Sequence, residues 1–298
     1  MDNVGIYCSL MEHMPALQFY NELKSLLQSA NREMATLEAR ILFEDIAKIS
    51  MTSLQLDKDI TISREITERL QKIAFRRCEG EPLGRILGYR DFWKDRFYLS
   101  PDTLEPRPDT ETLIESVLKS YSENPPPLKI LDLGTGTGCI LLSLLREFSE
   151  ARGVGIDISK GAVLTARQNS KRLGLAERAG FLQGNWADRL EKDRKFDLIV
   201  SNPPYIPSAD ISNLQKEVRN HDPILALDGG NDGLAPYKNL LPTLKNHLEQ
   251  QGRIFFEFGI NQEEDIKRLA EDSGATLIRV TNDLGGIPRV VEISYGDK

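Results

Sequence analysis

Seven short apolar runs in the second half of the chain constrain its fold more than any other feature. Helical stretches separate most of these runs, and such alternation predicts right-handed βαβ units and a mainly parallel sheet with helices on both faces. The last two runs are joined only by a turn-rich segment, so we expect a hairpin that makes the last strand antiparallel in an α/β fold. The predicted strands are 129–133, 153–158, 179–183, 198–200, 253–258, 276–281 and 289–294.

The first part of the chain has a helical pattern instead. Apolar residues recur at helical spacing between about residues 15 and 78, which predicts a small helical bundle. Aromatic and branched residues flank a polar turn at 84–99, which predicts a β-hairpin, and a helix is expected at 110–121 before three stiffening prolines at 125–127. We therefore predict three segments: a helical domain at 1–84, a hairpin and linker helix at 85–122, and the α/β domain at 123–298.

A glycine turn follows the first of the seven strands. Gly134-Thr135-Gly136-Thr137-Gly138 leads from that strand into a helical pattern, an arrangement that lets backbone approach a ligand closely. The spacing GxGxG differs from the GxGxxG of dinucleotide-binding proteins. The alternative is a turn with a purely structural role, which could have the same sequence.

Two further residues at strand ends favour a ligand. Asp157 ends the second strand, where its carboxylate can accept both hydroxyl groups of a ribose. Trp186 follows the third strand, where its ring can frame an adenine, although a buried core aromatic is the alternative. All these residues lie at the carboxyl edge of the predicted sheet, where open α/β sheets bind ligands.

The fourth strand runs into Asn202-Pro203-Pro204-Tyr205. The side-chain carbonyl of Asn202 can accept one hydrogen of a planar NH2 group, and a proline carbonyl can accept the other. Tyr205 offers a flat face for such a group. An Asx turn with a stiff loop is the structural alternative, but it does not explain why the loop lies beside the glycine turn and Asp157.

Composition excludes several classes of protein. The net charge of -7 and the pI near 5.3 disfavour a protein that binds a long stretch of nucleic-acid phosphate backbone. Three scattered cysteines and three scattered histidines predict neither a disulfide framework nor a metal site, and they fit a reducing cytoplasm. No apolar stretch is long enough to span a bilayer.

Together these motifs resemble class I S-adenosylmethionine-dependent methyltransferases, and more narrowly the HemK-type (PrmC-like) peptide chain release factor glutamine methyltransferases. The resemblance covers most of the chain. Its segments, in family order, are GYRDFW at 88–93, PRPDTE at 106–111, DLGTGTG at 132–138, NPPY at 202–205 and DLGGIPRVV at 283–291. It implies a Rossmann-like seven-stranded sheet and a helical N-terminal domain that recognises the substrate.

The resemblance also implies roles for single residues. S-adenosylmethionine is the expected cofactor, and Asn202, Pro203 and Tyr205 are the expected catalytic residues. Pro204 joins these three in holding the carboxamide of a glutamine within the Gly-Gly-Gln sequence of a release factor. The expected cofactor-binding residues are Gly134, Thr135, Gly136, Thr137, Gly138, Asp157, Trp186 and Asn202.

The chain departs from the family pattern at three positions. Asn185 stands where an acid usually precedes the residue matching Trp186. Asp222 replaces a glutamate in a segment that reads His-Asp-Pro, and its acid reaches one methylene less far. Glu105 occupies a commonly aliphatic position.

Two other substrates remain open on sequence grounds. Glutamine methylation of a ribosomal protein would use the same pocket, and the NPPY motif is shared with enzymes that methylate amino groups of DNA or RNA. The acidic net charge disfavours nucleic acid. We expect a cytoplasmic monomer that acts on release factors and binds neither nucleic acid nor membrane directly.

Overall fold

The computed structural model describes residues 13–30, 34–121 and 128–295. The chain forms two compact units that divide between Ile86 and Leu87. The predicted hairpin belongs to the second unit, and the three-segment division of the sequence stays a prediction. The three prolines at 125–127 lie outside the described residues.

The first unit is helical, as predicted. Its helices are held by an apolar core that includes Phe19, Leu42 and Leu70 and by a buried ion pair between Arg77 and Glu38, 2.7 Å apart. A short antiparallel strand pair and one short helix were not predicted, because three to six residues carry too little periodicity. The elements are β1 His13–Pro15, α1 Ala16–Ser29, α2 Ala35–Ala47, α3 Met51–Leu56, β2 Thr61–Ser63 and α4 Arg64–Cys78.

The hairpin is shorter than the sequence suggested. Helix α5 (Leu83–Leu87) occupies the start of the segment predicted as hairpin and is followed by Gly88, whose φ of 78° favours glycine. Strands β3 (Tyr89–Phe92) and β4 (Asp95–Tyr98) then pair antiparallel. The branched residues before Gly88 therefore form a helical turn, and the hairpin is confirmed only from Tyr89 onward.

The rest of the second unit is an α/β sheet of seven strands with helices on both faces. Its elements after β4 are α6 Glu111–Ser120, β5 Lys129–Leu133, α7 Cys139–Glu147, β6 Arg152–Asp157, α8 Lys160–Arg172, β7 Ala179–Gln183, β8 Phe196–Ser201, α9 Lys216–His221, α10 Ala235–Leu244, β9 Leu248–Glu257, α11 Glu263–Asp272, β10 Thr276–Asn282 and β11 Pro288–Ser294.

The strand order is β10-β11-β9-β8-β5-β6-β7, and β11 is antiparallel to both of its neighbours. The predicted mixed sheet with an antiparallel last strand is therefore confirmed. Two buried apolar clusters cover its faces: α6, α7 and α8 contribute to one, and α10 and α11 contribute to the other.

The sheet order decides where the site lies. Strand β5 is central, with β6 on one side and β8 on the other, all parallel. The chain leaves β5 in one direction and later returns to its other side, so a crevice opens at the carboxyl ends of these strands. The candidate residues predicted from the sequence lie at the end of β6 (Asp157) and in the segments that follow β5, β7 and β8.

Candidate functional site

A cavity of about 400 Å³ opens at this carboxyl edge. Eight of the residues proposed from the sequence line it, whereas Gly138, Pro203 and Tyr205 are not part of its lining in the described structure. Those eight are Gly134, Thr135, Gly136, Thr137, Asp157, Trp186, Asn202 and Pro204.

The glycine turn forms one wall of the cavity. Gly134, Gly136 and Gly138 all have positive φ values, of 73°, 54° and 81°, which glycine adopts without strain. The backbone N–H groups of Gly134 and Thr135 both donate to the carbonyl of Ile156, at 2.8 and 3.0 Å. Gly138 instead is the N-cap residue that precedes α7, and a Cβ there would lie 3.1 Å from Leu142. Its role is close packing of helix against sheet.

Asp157 ties the second strand to the glycine turn. Its Oδ2 accepts from the N–H of Gly136 at 2.8 Å, and its Oδ1 accepts from the N–H of Ser159 at 2.9 Å. Burial raises the pKa of the Asp157 carboxyl, although both hydrogen bonds oppose the increase. Each carboxylate oxygen has a second lone pair, so the group can still accept from two neighbouring hydroxyls of a ligand.

The third strand ends beside the same turn. Trp186 has a φ of 54°, an uncommon value for a residue with a side chain. A Cβ built on Gly134 would lie 3.6 Å from Cζ3 of the Trp186 ring, so the ring lies against the glycine turn. Asn185 also lines the cavity, and both residues are therefore placed where a flat aromatic ligand would fit.

Asn202 follows β8 and lines the cavity on the side of β5 opposite to β6. Its Nδ2 donates to the hydroxyl of Thr110 at 3.0 Å, which leaves Oδ1 as the atom of the amide that can accept from a ligand. Pro204 lines the cavity and Pro203 is buried. The amide is thus oriented by a residue of the PRPDTE segment, 92 positions away in sequence.

Tyr205 faces a buried carboxyl group. Its hydroxyl donates to Oε1 of Glu257 at 3.4 Å, and burial together with the nearby Glu257 raises the pKa of Tyr205 above its usual value. Burial raises the pKa of Glu257 to about 7, although hydrogen bonding from Thr110 and attraction to Arg289 favour its charged form. The sequence analysis missed Glu257; the one available signal is a charged residue that ends a strongly apolar strand.

The backbone after the NPPY motif is held by a second loop. The N–H of Ile206 donates to the carbonyl of Leu227 at 3.1 Å, and the N–H of Gly229 donates to the carbonyl of Ile206 at 2.8 Å. Gly233 approaches so closely that a Cβ there would lie 2.4 Å from the carbonyl oxygen of Tyr205. These contacts fix the position of the loop relative to the sheet edge.

Two of the departures from the family pattern are joined by contacts. Asp222 is buried, forms an ion pair with Arg107, and accepts from the N–H of Glu105 at 3.4 Å. The carboxylate of Glu105 lies 3.4 Å from Arg90. Arg107 lines the cavity, so Asp222 anchors a cationic side chain in the cavity wall.

The described residues contain no cluster of metal-ligating side chains. No helix in the described ranges is long and apolar enough to cross a membrane. Cys78 and Cys139 are not joined in a disulfide bond, and Cys8 lies outside the described residues.

Comparison with known proteins supports a transferase. A family model described as "Methyltransferase domain" matches residues 126–278, and one described as "PrmC N-terminal domain" matches residues 18–88. The release factor glutamine methyltransferase of Bradyrhizobium diazoefficiens is 44% identical over 272 residues, which cover 90% of this chain and 91% of the relative. That of Agrobacterium fabrum is 40% identical over 268 residues, which cover 89% and 92%.

A solved structure of a release factor-specific protein-(glutamine-N5) methyltransferase from Alicyclobacillus acidocaldarius is 27% identical. The match covers 67% of this chain and 100% of that chain, with a TM-score of 0.42. Identities of 40% and 44% over nine-tenths of the length of both relatives, in a chain that carries both domain models, decide the family. This chain is a methyltransferase and belongs to the release factor glutamine methyltransferase family.

Proposed function

We propose that this enzyme transfers a methyl group from S-adenosylmethionine to the side-chain amide nitrogen of the glutamine in the Gly-Gly-Gln sequence of peptide chain release factors. The orientation of Asn202 carries the proposal. Because its Nδ2 is bound to Thr110, its Oδ1 is the atom that accepts one hydrogen of a planar amide. The names of the relatives support the substrate.

The cavity fits the proposed cofactor. Gly134 and Gly136 have positive φ values and line the cavity. Because neither has a side chain, a ligand can lie directly against their backbone. Asp157 has lone pairs for two ribose hydroxyls, and the Trp186 ring lies beside Gly134. Thr135 and Thr137 complete this wall. Gly138, the fifth member of the turn, supports it from the start of α7.

When bound, S-adenosylmethionine supplies a methyl group made electrophilic by its sulfonium. The protein must hold an amide nitrogen that is a poor nucleophile. Hydrogen bonds from both amide hydrogens, one to Asn202 Oδ1 and one to the carbonyl of Pro203, favour the positive charge that develops on nitrogen during attack. Correct placement of the nitrogen contributes on the order of 7–11 kcal/mol, so no strong general base is required.

Pro204 and Tyr205 complete the proposed substrate-binding residues. Pro204 lines the cavity, and the hydroxyl of Tyr205 donates to Glu257 at the end of β9, which holds the loop in place. We further propose that residues 1–84 recognise the protein substrate, and that the enzyme acts in the cytoplasm as a monomer, without direct binding to nucleic acid.

The test is to incubate the protein with S-adenosylmethionine and, separately, with release factor, ribosomal proteins and tRNA, and to locate the added methyl group by mass spectrometry. We expect label on the glutamine of Gly-Gly-Gln and loss of that label when the glutamine is replaced. Label on nucleic acid and none on a glutamine would contradict the proposal.

The Asn202→Ala variant tests the role of the amide. We expect turnover to fall roughly 100-fold or more, as when a transition-state hydrogen bond is removed, with little change in cofactor affinity. Asn246→Ala, in an exposed position, is the matched control. Full turnover in Asn202→Ala would rule out the assigned role.

A further inference from the structure

We propose that Arg107 binds the carboxylate in the methionine part of S-adenosylmethionine, and that the buried Asp222 holds the guanidinium in the cavity wall. The inference rests on the function proposed above, since it assumes that this molecule is the methyl donor. The residues assigned to the cofactor so far include no cation. Arg107 would therefore supply the one contact of opposite charge for the end of the cofactor farthest from its adenine.

Two prolines restrict the backbone of Arg107. Pro106 lines the cavity, and Pro108 begins the short 3₁₀ helix Pro108–Thr110. A proline fixes its own φ and restricts the residue before it to an extended conformation. Arg107 has that conformation, with φ of -96° and ψ of 142°. Its side chain therefore starts from a backbone with little freedom, which lowers the entropy lost when a ligand binds.

Asp222 holds the guanidinium from the protein side. The side chain of Asp222 is 2% exposed and that of Arg107 is 34% exposed, so the ion pair lies between the protein interior and the open cavity. Nη2 of Arg107 donates to Oδ2 of Asp222. Within the described residues this is the side-chain hydrogen bond that Arg107 makes, and a guanidinium has five N–H groups. Nε and Nη1 can therefore donate to a ligand.

Arg107 lies on the side of the cavity where the methyl group would be transferred. Its carbonyl accepts from the N–H of Thr110 at 3.1 Å, and the Thr110 hydroxyl accepts from Asn202 at 3.0 Å. Burial is the main cause of the raised pKa of Tyr205, and the charge of Arg107 opposes that increase. The guanidinium therefore lies near the NPPY loop.

The proposed ribose contact lies on the other side of the central strand. Asp157 ends β6, whereas the NPPY loop follows β8, and β5 separates these two strands. In S-adenosylmethionine the methionine part extends away from the ribose. Arg107 is therefore at the end of the cavity expected for the methionine carboxylate.

The charges of the cavity match those of the cofactor. Arg107 is the single cation among the described residues that line the cavity, and the acidic lining residues are Asp102, Asp157 and Asp228. S-adenosylmethionine carries one carboxylate and two cations, the ammonium and the sulfonium. The three acidic side chains attract the two cations but repel the carboxylate. The carboxylate therefore needs the guanidinium, with which it can form two parallel hydrogen bonds.

Titration with two ligands that differ only in this carboxylate tests the inference. The ligands are S-adenosylmethionine and decarboxylated S-adenosylmethionine, and calorimetry measures both Kd values in the absence of a methyl acceptor. We expect the wild type to bind the decarboxylated molecule roughly 10- to 100-fold more weakly, the range for a hydrogen bond between charged groups. Equal Kd values in the wild type would overturn the inference, since the protein would then not recognise the carboxylate.

Arg107→Met removes the cation but keeps a long unbranched side chain. S-adenosylmethionine should bind to this variant roughly 10- to 100-fold more weakly than to the wild type. The decarboxylated molecule should bind about as well as it does to the wild type, which would show that the cavity is intact. The two ligands should then differ by less than about three-fold. A ratio that stays at the wild-type value would overturn the assignment to Arg107.

Arg107→Lys keeps a positive charge beside Asp222 but cannot form the two parallel hydrogen bonds of a guanidinium. The ratio of the two Kd values should lie between those of the wild type and Arg107→Met. This variant also decides the question if Arg107→Met is too unstable to titrate. A wild-type ratio in Arg107→Lys would in that case overturn the inference.

Arg146→Met is the matched control. Arg146 forms an ion pair of the same kind with Asp95, at 2.9 Å and with side-chain exposures of 47% and 7%, but it does not line the cavity. Both ligands should bind to this variant as they bind to the wild type. A changed ratio would show that the effect is not specific to Arg107 and would overturn the inference.

Kinetics separate a contact with the cofactor from a contact with the protein substrate. Arg107→Met should raise the KM for S-adenosylmethionine roughly 10-fold or more, while the KM for release factor stays within about two-fold. At saturating cofactor, kcat should change less than about three-fold, because the carboxylate is bound equally in the ground state and the transition state. A raised KM for release factor with unchanged cofactor binding would assign Arg107 to the protein substrate instead and overturn the inference.

The two ligands also distinguish failure of this inference from failure of the proposed function. A wild-type protein that binds neither ligand would refute S-adenosylmethionine as the methyl donor, and this inference with it. Methylation of the glutamine in Gly-Gly-Gln, together with equal binding of the two ligands, would leave the proposed function in place and refute the role of Arg107 alone.

Discussion

The side chain of Gln262 holds the backbone of Tyr205 in place: its Nε2 donates to the Tyr205 carbonyl at 3.0 Å. The same side chain accepts from the N–H of Gly259 at 2.9 Å through Oε1. Gln262 is buried and lies just before α11. It therefore links the NPPY loop to the end of β9 independently of Glu257.

Replacement of Gln262 should make the NPPY loop less rigid without affecting the glycine turn, where the cofactor is proposed to bind. Gln262→Leu leaves the Gly259 N–H and the Tyr205 carbonyl without this partner, which costs about 1–3 kcal/mol of unfolding free energy. We expect kcat to fall while cofactor affinity stays near that of the wild type. Methyltransfer assays and calorimetry measure the two quantities. Gln251→Leu, a change at an exposed position on β9, is the control, and a wild-type kcat in Gln262→Leu would contradict the role.

Asp157 should govern cofactor affinity. In Asp157→Asn one acceptor oxygen becomes an NH2 group that faces the N–H of Gly136 or of Ser159, both of which now donate to the carboxylate. The loss of about 1–3 kcal/mol corresponds to a cofactor Kd weakened roughly 10- to 100-fold. Calorimetric titration with S-adenosylmethionine gives the value. Asp193→Asn, at an exposed site, should bind normally; equal affinity in both variants would exclude Asp157 from the site.

The absence of a side chain at Gly155 should matter for the glycine turn. A Cβ there would lie 2.6 Å from Oγ1 of Thr135 and 2.7 Å from the Phe181 ring. Gly155→Ala should therefore cost about 1–3 kcal/mol through overpacking and should displace Thr135, with weaker cofactor binding. At Gly180, on the neighbouring strand, the nearest atom to a Cβ is 3.9 Å away. Thermal unfolding of both alanine variants checks the contrast, and similar losses at the two positions would refute it.

The contributions of Asp222 and Arg107 to the free energy of unfolding should be coupled, because the two side chains form an ion pair. Asp222→Ala leaves the Arg107 guanidinium and the N–H of Glu105 without their acceptor, and we expect a loss of about 1–3 kcal/mol. Arg107→Ala in the same chain should then add little, because the interaction is already gone. Urea unfolding of the four proteins in this cycle measures the coupling. The exposed pair Arg268 and Asp265 should couple by less than about 1 kcal/mol; additive losses at Asp222 and Arg107 would disprove a working pair.

The sequence predicts the sheet well because each strand is a separate apolar run whose periodicity is local. Strands 129–133 and 179–183 agree with the structure at both ends. The contacts that hold the NPPY loop could not be predicted, because Thr110 is 92 positions from Asn202 and Glu257 is 52 positions from Tyr205, and only the folded chain brings these partners together. The sequence also could not show that Asp222 and Glu105 are in contact, since 117 positions separate them.

Asp132 should make the stability of the protein depend on pH. It is fully buried on β5, Thr135 donates to its Oδ2 at 2.6 Å, and burial raises its pKa to about 7 from an ordinary value of about 3.9. The folded protein thus binds this proton more tightly than the unfolded chain. The stabilisation from Asp132 is complete only below about pH 4 and is lost as the pH rises through about 7.

Asp132→Asn should remove this dependence, because an amide keeps an acceptor for Thr135 but carries no charge at any pH. At pH 8 the variant should be more stable than the wild type by about 2–4 kcal/mol, and at pH 5 the difference should be much smaller. Urea unfolding at the two pH values measures it. Asp272→Asn, which removes an exposed carboxylate at the end of α11, should leave the wild-type dependence in place. If Asp132→Asn gains no stability at pH 8 relative to pH 5, the buried carboxyl is not the group that titrates.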